Sequence, residues 1–373
     1  MKVLSVSFEN YRNLHDGGLQ ADETTNIICG LNAQGKTNLL ECLWLFTGNR
    51  SFRGAKDQEL VSMGNPDRDC VLTLSFESGG REQQSSLRVT GGRRKAEKNG
   101  VMLKSAGELT GAFCAVLFSP DHLSLVKDGP SFRRGFLDTA LGQIRPTYGK
   151  LMAQYSRTLQ QRGALLKDIP HHNDLRDLLD VWDERVVRLG GRILFERARY
   201  TAALQKQASP IYEGISSGKE TLGISYKTAL CDHPQSLTQV QWEQCFYEKL
   251  RQAQGEDIQT GNTSVGPHRD DLELTINGLS ARSFGSQGQQ RSVVLALKLG
   301  EANVLAQSIG EEPVILLDDV LSELDASRQE YLLNHLKGRQ VFFTCCDPAG
   351  IQLLRKGKVF FMEDGCLKEG EES

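Results

Sequence analysis

Residues Gly30-Leu31-Asn32-Ala33-Gln34-Gly35-Lys36-Thr37 match the pattern G-x-x-x-x-G-K-[ST]. They lie between an apolar run, Asn26-Ile27-Ile28-Cys29, and a helix-like run, Asn38-Leu39-Leu40-Glu41-Cys42-Leu43-Trp44. Strand, loop and helix is the order that phosphate binding needs. The glycines let successive backbone N–H groups curl round phosphate oxygens, and the helix N-terminus that follows favours anions. Lys36 reaches the β- and γ-phosphates, and the Thr37 hydroxyl can ligate Mg²⁺. By chance the pattern turns up in roughly one chain in a hundred of this length, and a chance copy seldom has both flanks. All eight residues are therefore assigned to a nucleoside triphosphate.

Such a loop requires an acidic companion strand. Val314-Ile315-Leu316-Leu317-Asp318-Asp319 supplies one, an apolar run ending in two carboxylates. In a parallel sheet the C-terminal strand ends face the ligand crevice. Asp318 can then hold Mg²⁺ through water while Asp319 orients the attacking water. An acidic pair after an apolar strand is, on its own, more often a turn, and the phosphate loop decides the matter. Lys36 and Asp319 are the catalytic candidates, Thr37 and Asp318 the metal candidates.

Two further segments set the class. Ser286-Gln287-Gly288-Gln289-Gln290-Arg291 precedes a helix, and Leu321-Ser322-Glu323-Leu324-Asp325 follows the acidic pair. They resemble the signature motif and D-loop of the ABC-type ATPases. That resemblance implies that Ser286, Gly288 and Gln289 cap the γ-phosphate held by the loop of a second subunit. The physical logic is a hydroxyl and backbone N–H groups at a helix N-terminus, aimed at phosphate oxygens. The bland alternative for the same run is a simple helix cap.

Composition bounds the rest. The 373 residues, 39% of them hydrophobic, are enough for two domains or for one with a large insertion. Nine cysteines without a C-x-x-C pair exclude a disulfide framework and a zinc site, and Cys345-Cys346 is expected to be buried strand packing. Met1 to Phe8 alternates like a strand and lacks the apolar core of a signal peptide. No apolar stretch reaches the ~20 residues that cross a bilayer. A soluble, cytoplasmic protein with no membrane partner is expected. A net charge of -3 excludes a globally basic nucleic-acid coat, so DNA contacts require a local patch.

Along the chain, strands are expected at Val3–Phe8, Thr25–Cys29, Cys70–Phe76, Ser86–Thr90 and Phe113–Phe118, with Gly91–Gly100 most simply a hairpin tip between short strands, or more blandly a solvated loop. Ser119-Pro120-Asp121 reads as a helix start. Helical spacing then dominates to about Gln254, notably Tyr148–Leu166 and Leu175–Gln205. Gly163, Pro170 and Gly190-Gly191 interrupt it too often for a long coiled coil. Strand Leu272–Ile276, a turn at Asn277-Gly278, helix Gln289–Leu305, strand Val314–Leu317, helix Ala326–Lys337 and strand Val341–Thr344 follow. The expected fold is α/β. It is an ABC-type P-loop ATPase head made from residues 1–118 and 261–373, with a helical lobe, 119–260, inserted.

The whole chain resembles the RecF family, the SMC-like recombination mediators of bacteria. The resemblance runs through Asn10-Tyr11-Arg12-Asn13-Leu14, the phosphate loop, Asn49-Arg50-Ser51-Phe52-Arg53, Leu117-Phe118-Ser119-Pro120, Gly129-Pro130 and Arg133-Arg134-Gly135-Phe136-Leu137-Asp138. It continues through Gln161-Arg162-Gly163, Gly266-Pro267-His268-Arg269-Asp270-Asp271 and the signature, acidic and D-loop segments. It implies an ATP-dependent clamp with Mg²⁺ as cofactor. Two subunits close head to head on ATP, bind duplex DNA near single-strand gaps, and reopen after slow, DNA-dependent hydrolysis. The implied partners are gapped double- and single-stranded DNA, a second copy of the chain, and RecR, with RecO and RecA in the same pathway.

Some positions depart from the general ABC pattern. Asp319 stands where a glutamate is usual. Thr344-Cys345-Cys346-Asp347 replaces the segment that carries the switch histidine, leaving no assigned γ-phosphate sensor. Ser119 is the nearest polar residue to the usual mid-domain glutamine. Arg53, Arg133, Arg134, Arg157 and Arg162 are the DNA candidates, because a clamp grips phosphates with cations; Arg134 could instead pair with Asp138 at i, i+4. Arg12 could approach the nucleotide. His268 reads as a structural turn with an Arg–Asp pair rather than a metal ligand, and His171-His172 as exposed. A transport ATPase subunit shares the nucleotide motifs, and a binding clamp with incidental hydrolysis is a third reading.

Overall fold

The computed structural model describes residues 1–232, 234–346 and 357–370. It divides into two units, Met1–His122 with Leu295–Ser373 and Leu123–Val294. The first unit holds two six-stranded sheets. Strands β1 (Lys2–Glu9), β2 (Gly17–Gln20), β3 (Thr25–Cys29), β4 (Cys70–Ser78), β5 (Arg81–Thr90), β6 (Arg93–Lys98), β7 (Val101–Met102) and β8 (Ala115–Phe118) come from its first segment, with helix α1 (Lys36–Leu45) after β3. Six of these strands form the antiparallel sheet β2-β1-β4-β5-β6-β7. Its strands alternate, as a sheet with one covered face requires: Val3, Val6 and Phe8 on β1 and Leu72, Leu74 and Phe76 on β4 are buried.

The second segment adds β12 (Val314–Leu317), α9 (Ala326–His335), β13 (Val341–Cys345), β14 (Lys358–Glu363) and β15 (Cys366–Glu369). These complete the sheet β15-β14-β3-β13-β12-β8, in which β14, β3, β13, β12 and β8 run parallel and β15 is antiparallel to β14. All four residues of β12 are buried, the continuous apolar pattern of a strand covered on both faces. One apolar cluster takes Leu39 and Leu43 from α1, Leu74 and Phe76 from the antiparallel sheet, and Ile28, Leu316 and Phe342 from the parallel one. Burial of each such side chain contributes about 1.5–3 kcal/mol. This core fixes the order β3-β13-β12, on which the site depends.

Gly91–Gly100 is not a solvated loop. Gly91-Gly92 turns the chain with φ of 56° and 71°, and Arg93–Lys98 returns as β6, pairing residue for residue with β5. Ala96, 2% exposed and opposite Leu87, pins this strand, while its charged neighbours mask the pattern.

The second unit contains α2 (Ser124–Lys127), α3 (Pro130–Ile144), α4 (Tyr148–Asp168), α5 (Leu178–Ile215), β9 (Leu222–Lys227), α6 (Gln239–Thr260), β10 (Asp271–Ile276), β11 (Leu279–Ser280) and α7 (Ala281–Phe284). Helix α8 (Gln287–Ile309) spans the division. This unit is not purely helical. Strand β9 pairs antiparallel with β10 along its length, and residues 261–294 belong to this compact unit.

The glycine pair 190–191 is no helix break. Helix α5 runs through it for 38 residues, because a Cβ at Gly190 would come within 2.4 Å of Phe246 Cε1 and one at Gly191 within 2.4 Å of Glu243 Cγ. Absent side chains let α6 approach, which outweighs the roughly 1 kcal/mol helix penalty of glycine. Pro170 does end a helix, lying just past α4. Among the described residues no helix is long and apolar enough to cross a membrane.

Candidate nucleotide site

The loop 30–35 leaves the C-terminal end of β3 and enters α1 at Lys36. Gly35 turns it with φ of 112°, and a Cβ there would lie 2.5 Å from Leu14. Ala33 also sits in the left-handed region, at φ 67°. The loop is braced from outside: Gly365 N–H donates to the Gln34 carbonyl at 3.2 Å, Asp364 N–H to the Gln34 side chain, and the Asn13 amide to the Ala33 carbonyl at 3.3 Å. Lys36 is 7% exposed and donates its ammonium to the carbonyls of Gly30 and Leu31, the latter at 2.9 Å. Leu31 is 72% exposed at the loop tip.

Strand β12 lies two places from β3, with β13 between. It ends by presenting Asp318 to the loop, and Thr37 Oγ1 donates to Asp318 Oδ1 at 2.9 Å. Thr344, at the end of β13, donates to the same oxygen at 3.1 Å and accepts the Asp319 N–H at 2.9 Å. Burial pushes the Asp318 carboxyl up, opposed by the hydrogen bonds from Thr37 and Thr344 and reinforced by the neighbouring Asp319. Asp319 has φ of 51°, a conformation that costs a non-glycine residue about 1 kcal/mol or more and that recurs at functional sites. Ser322 Oγ donates to its carbonyl and carboxylate at 2.8 and 3.1 Å. The chemistry of this set fits a triphosphate with a divalent cation. It offers turned loop backbone, a buried ammonium, a hydroxyl and two carboxylates at one sheet end.

Cys345 and Cys346 differ from the expected buried packing. Cys345 is half-buried with its Sγ 2.9 Å from Cys29 Sγ, and the hydrogen bond with that thiol, then burial, push it up. Cys346 is exposed; its thiol donates to Asn32 Oδ1 at 3.0 Å and lies 3.3 Å from the Lys36 ammonium. Asp347 lies outside the described residues. Ser119 turns the chain after β8 by accepting the Asp121 N–H at 3.2 Å, while its own N–H donates to His122 Nδ1 at 3.0 Å.

Arg12 is held against α1, the helix that follows the phosphate loop. Its guanidinium forms a bidentate pair with the fully buried Glu41 at 2.8–3.0 Å, where Tyr11 and Ser51 also donate. A charge taken out of water needs such partners. Arg53 is exposed and donates to Asn38 Oδ1 at 2.7 Å, and Asn38 in turn donates to Asn13 at 2.6 Å. The bond to Asn38, in the first turn of α1, places Arg53 next to the nucleotide loop. Asn13 and Thr344 lie in segments that the family resemblance marks, but nothing in the sequence assigns them, Glu41 or Asn38 these hydrogen-bond partners.

In the second unit, Ser286 and Gln289 form a reciprocal cap at the start of α8. Ser286 N–H donates to Gln289 Oε1 at 2.8 Å, and Gln289 N–H to Ser286 Oγ at 3.3 Å. Gln289 also donates to Glu220 at 2.6 Å. Gly288 falls in the first turn, and Phe284, just before, is 70% exposed.

The other arginine candidates separate by burial. Arg162 is fully buried between Asp183 and Asp257 at 2.6 and 2.7 Å, and Arg133 holds Asp271 through two bonds of 2.7 and 2.9 Å. Both are buried and ion-paired. Arg134 is half-buried and donates to the Asp270 carbonyl at 2.8 Å, while Asp138 pairs with Arg197 instead. Arg157 is exposed, and its side chain has no hydrogen bond or ion pair among the described residues. His268 is structural, bonded to the Tyr155 hydroxyl at 2.9 Å and to the Thr263 carbonyl at 3.0 Å. Arg269 bonds that same carbonyl and pairs with neither neighbouring aspartate. Asp270, pushed up to about 6 by burial, accepts the Tyr226 hydroxyl.

The model of the family described as RecF/RecN/SMC N terminal domain matches residues 2–366. The DNA replication and repair protein RecF of Acetivibrio thermocellus is 37% identical over 349 residues, 93% of this chain and 94% of that one. A solved structure of the recombination mediator protein RecF with ATP, in the RecFOR pathway, aligns with a TM-score of 0.91 at 35% identity. It covers 99% of this chain and 98% of that chain. The Smc head domain of Pyrococcus furiosus aligns with a TM-score of 0.57 at 15% identity over 100% of this chain and 96% of that chain, a likeness of fold alone.

Proposed function

The chain belongs to the RecF family of DNA replication and repair proteins, and from that premise we propose that it is an ATP-driven DNA clamp acting in recombinational repair and replication restart. The observation that carries the reading is the 2.9 Å bond between Thr37 Oγ1 and Asp318 Oδ1, which joins the phosphate loop to the acidic strand. Lys36 and the N–H groups of residues 31–37 hold the phosphates, and Thr37 and Asp318 hold Mg²⁺. When bound, Mg²⁺ neutralises charge on the β- and γ-phosphates. Asp319 orients the attacking water. One methylene shorter than a glutamate, it suits slow, DNA-dependent turnover.

Closure by a second copy follows from the signature segment. Ser286 and the N-terminal N–H groups of α8 present a hydroxyl and donors to an anion. The exposed Leu31 and Phe284 are apolar surface suited to burial against another subunit. Gapped DNA is the substrate, gripped through phosphates by exposed cations such as Arg157. RecR is the direct protein partner, with RecO and RecA in the same pathway. Nothing in the likenesses supports a transport ATPase subunit.

The test is ATP-dependent binding to a gapped duplex. Lys36→Met and Thr37→Ala are expected to weaken Mg-ATP binding roughly tenfold or more, about 1.4 kcal/mol, and to abolish the dependence of DNA binding on ATP. Retention of that dependence in both variants would remove the site assignment.

A further inference from the structure

Thr344 opens the segment that stands in place of the switch histidine and has no assigned role, yet it bonds both aspartates of the site. Strand β13 lies between β3, which carries the phosphate loop, and β12, which carries the two aspartates. Leu317 is opposite Phe343, so the next residue on each strand brings Asp318 and Thr344 side by side. Thr344 is 2% exposed. Its hydroxyl donates to Asp318 Oδ1 at 3.1 Å and accepts the Asp319 N–H at 2.9 Å.

We propose that Thr344 is a positioning residue for hydrolysis: its single hydroxyl sets the orientation of both aspartates. A hydroxyl has one proton to give. Here it goes to Asp318, so the Asp319 N–H must meet the oxygen lone pair, and the two bonds fix one arrangement. Asp318 Oδ1 then carries two hydroxyl protons, from Thr37 and Thr344. Asp318 Oδ2, with no hydrogen bond among the described residues, remains for the cation side. The bond to the Asp319 N–H holds that residue at φ 51°, where an unpartnered amide would relax toward a commoner conformation. Buried behind the carboxylates, Thr344 acts through Asp318 and Asp319 and does not itself sense the γ-phosphate.

This inference rests on the nucleotide-site reading, and its test separates the two. Thr344→Val keeps the shape and removes both bonds; Thr344→Ser keeps the hydroxyl. In the nucleotide-free proteins, amide hydrogen exchange across residues 318–320 is expected to be fast in the valine variant and slow in wild type and the serine variant. With Mg-ATP, the valine variant is expected to lose roughly ten- to hundred-fold in kcat, to keep its KM for ATP within about twofold, and to need more Mg²⁺ for nucleotide binding. Serine is expected to restore all three. Wild-type exchange, kcat and Mg²⁺ dependence in the valine variant would overturn the proposal. So would a serine variant as impaired as valine with an equal loss of thermal stability, since packing alone would then explain both. Wild-type protein that binds no Mg-ATP would instead strike the nucleotide-site reading, leaving the exchange measurement to decide the hydroxyl's role.

Discussion

Arg162 is enclosed by Asp183 and Asp257 with no exposed surface on any of the three, and Thr263 takes a further bond from its guanidinium at 2.8 Å. Burial pushes the Asp183 carboxyl up, and Arg162 opposes that shift. Removing the cation strands two buried carboxylates, which costs about 3–5 kcal/mol. Arg162→Leu is therefore expected to lower stability by that amount in urea denaturation while leaving the DNA affinity of the folded fraction unchanged. Arg157→Ala is the contrast. It removes an exposed cation, so it is expected to leave stability within about 0.5 kcal/mol and to reduce the salt dependence of DNA binding by about one counter-ion. A DNA-specific loss in the Arg162 variant alone would reverse these assignments. Sequence alone could not separate the two arginines, because burial of a charge is decided by partners 21 and 95 positions away.

Elements were most legible where a local pattern and the fold agreed. The run Val314–Leu317 is a four-residue strand as its apolar letters require, and Thr25–Cys29 is the strand that feeds the loop. Legibility failed where a tertiary contact set the element. Charges hid the single buried anchor of β6, Ala96, and Gly190-Gly191 looked like a break when it is the contact surface of α5. Strand β9 was hidden inside a helical stretch because only its pairing with β10 defines it. The glycine contact is directly testable. Gly190→Ala puts a methyl into space held by Phe246 and Tyr155, and is expected to destabilise the lobe by about 1–3 kcal/mol, although alanine is the better helix former. An unchanged or raised midpoint in thermal or urea unfolding would show that α6 can give way. At the site, the motif letters identified the loop and the acidic pair. The contacts that hold them in place, Thr344 to both aspartates and Asn13 to the loop, are set by the fold and cannot be read from the letters.

For the whole molecule, the parallel sheet aligns the phosphate loop and the carboxylates at one strand end, while Ser286 and its helix N-terminus stand on the other unit's part of α8. The proposed clamp needs this segment to act on a nucleotide held by a second copy, so it requires an ATP-closed dimer on DNA. Subunit mass by light scattering, with and without Mg-ATP and then with a gapped duplex, tests this most directly when wild type is run beside Ser286→Arg. That variant costs its helix cap about 1 kcal/mol and puts a bulky cation where the cap must close. Twice the subunit mass with Mg-ATP, tightened by the gapped duplex and lost in Ser286→Arg, is the predicted result. A nucleotide-bound monomer whose mass ignores both ATP and DNA would contradict the clamp.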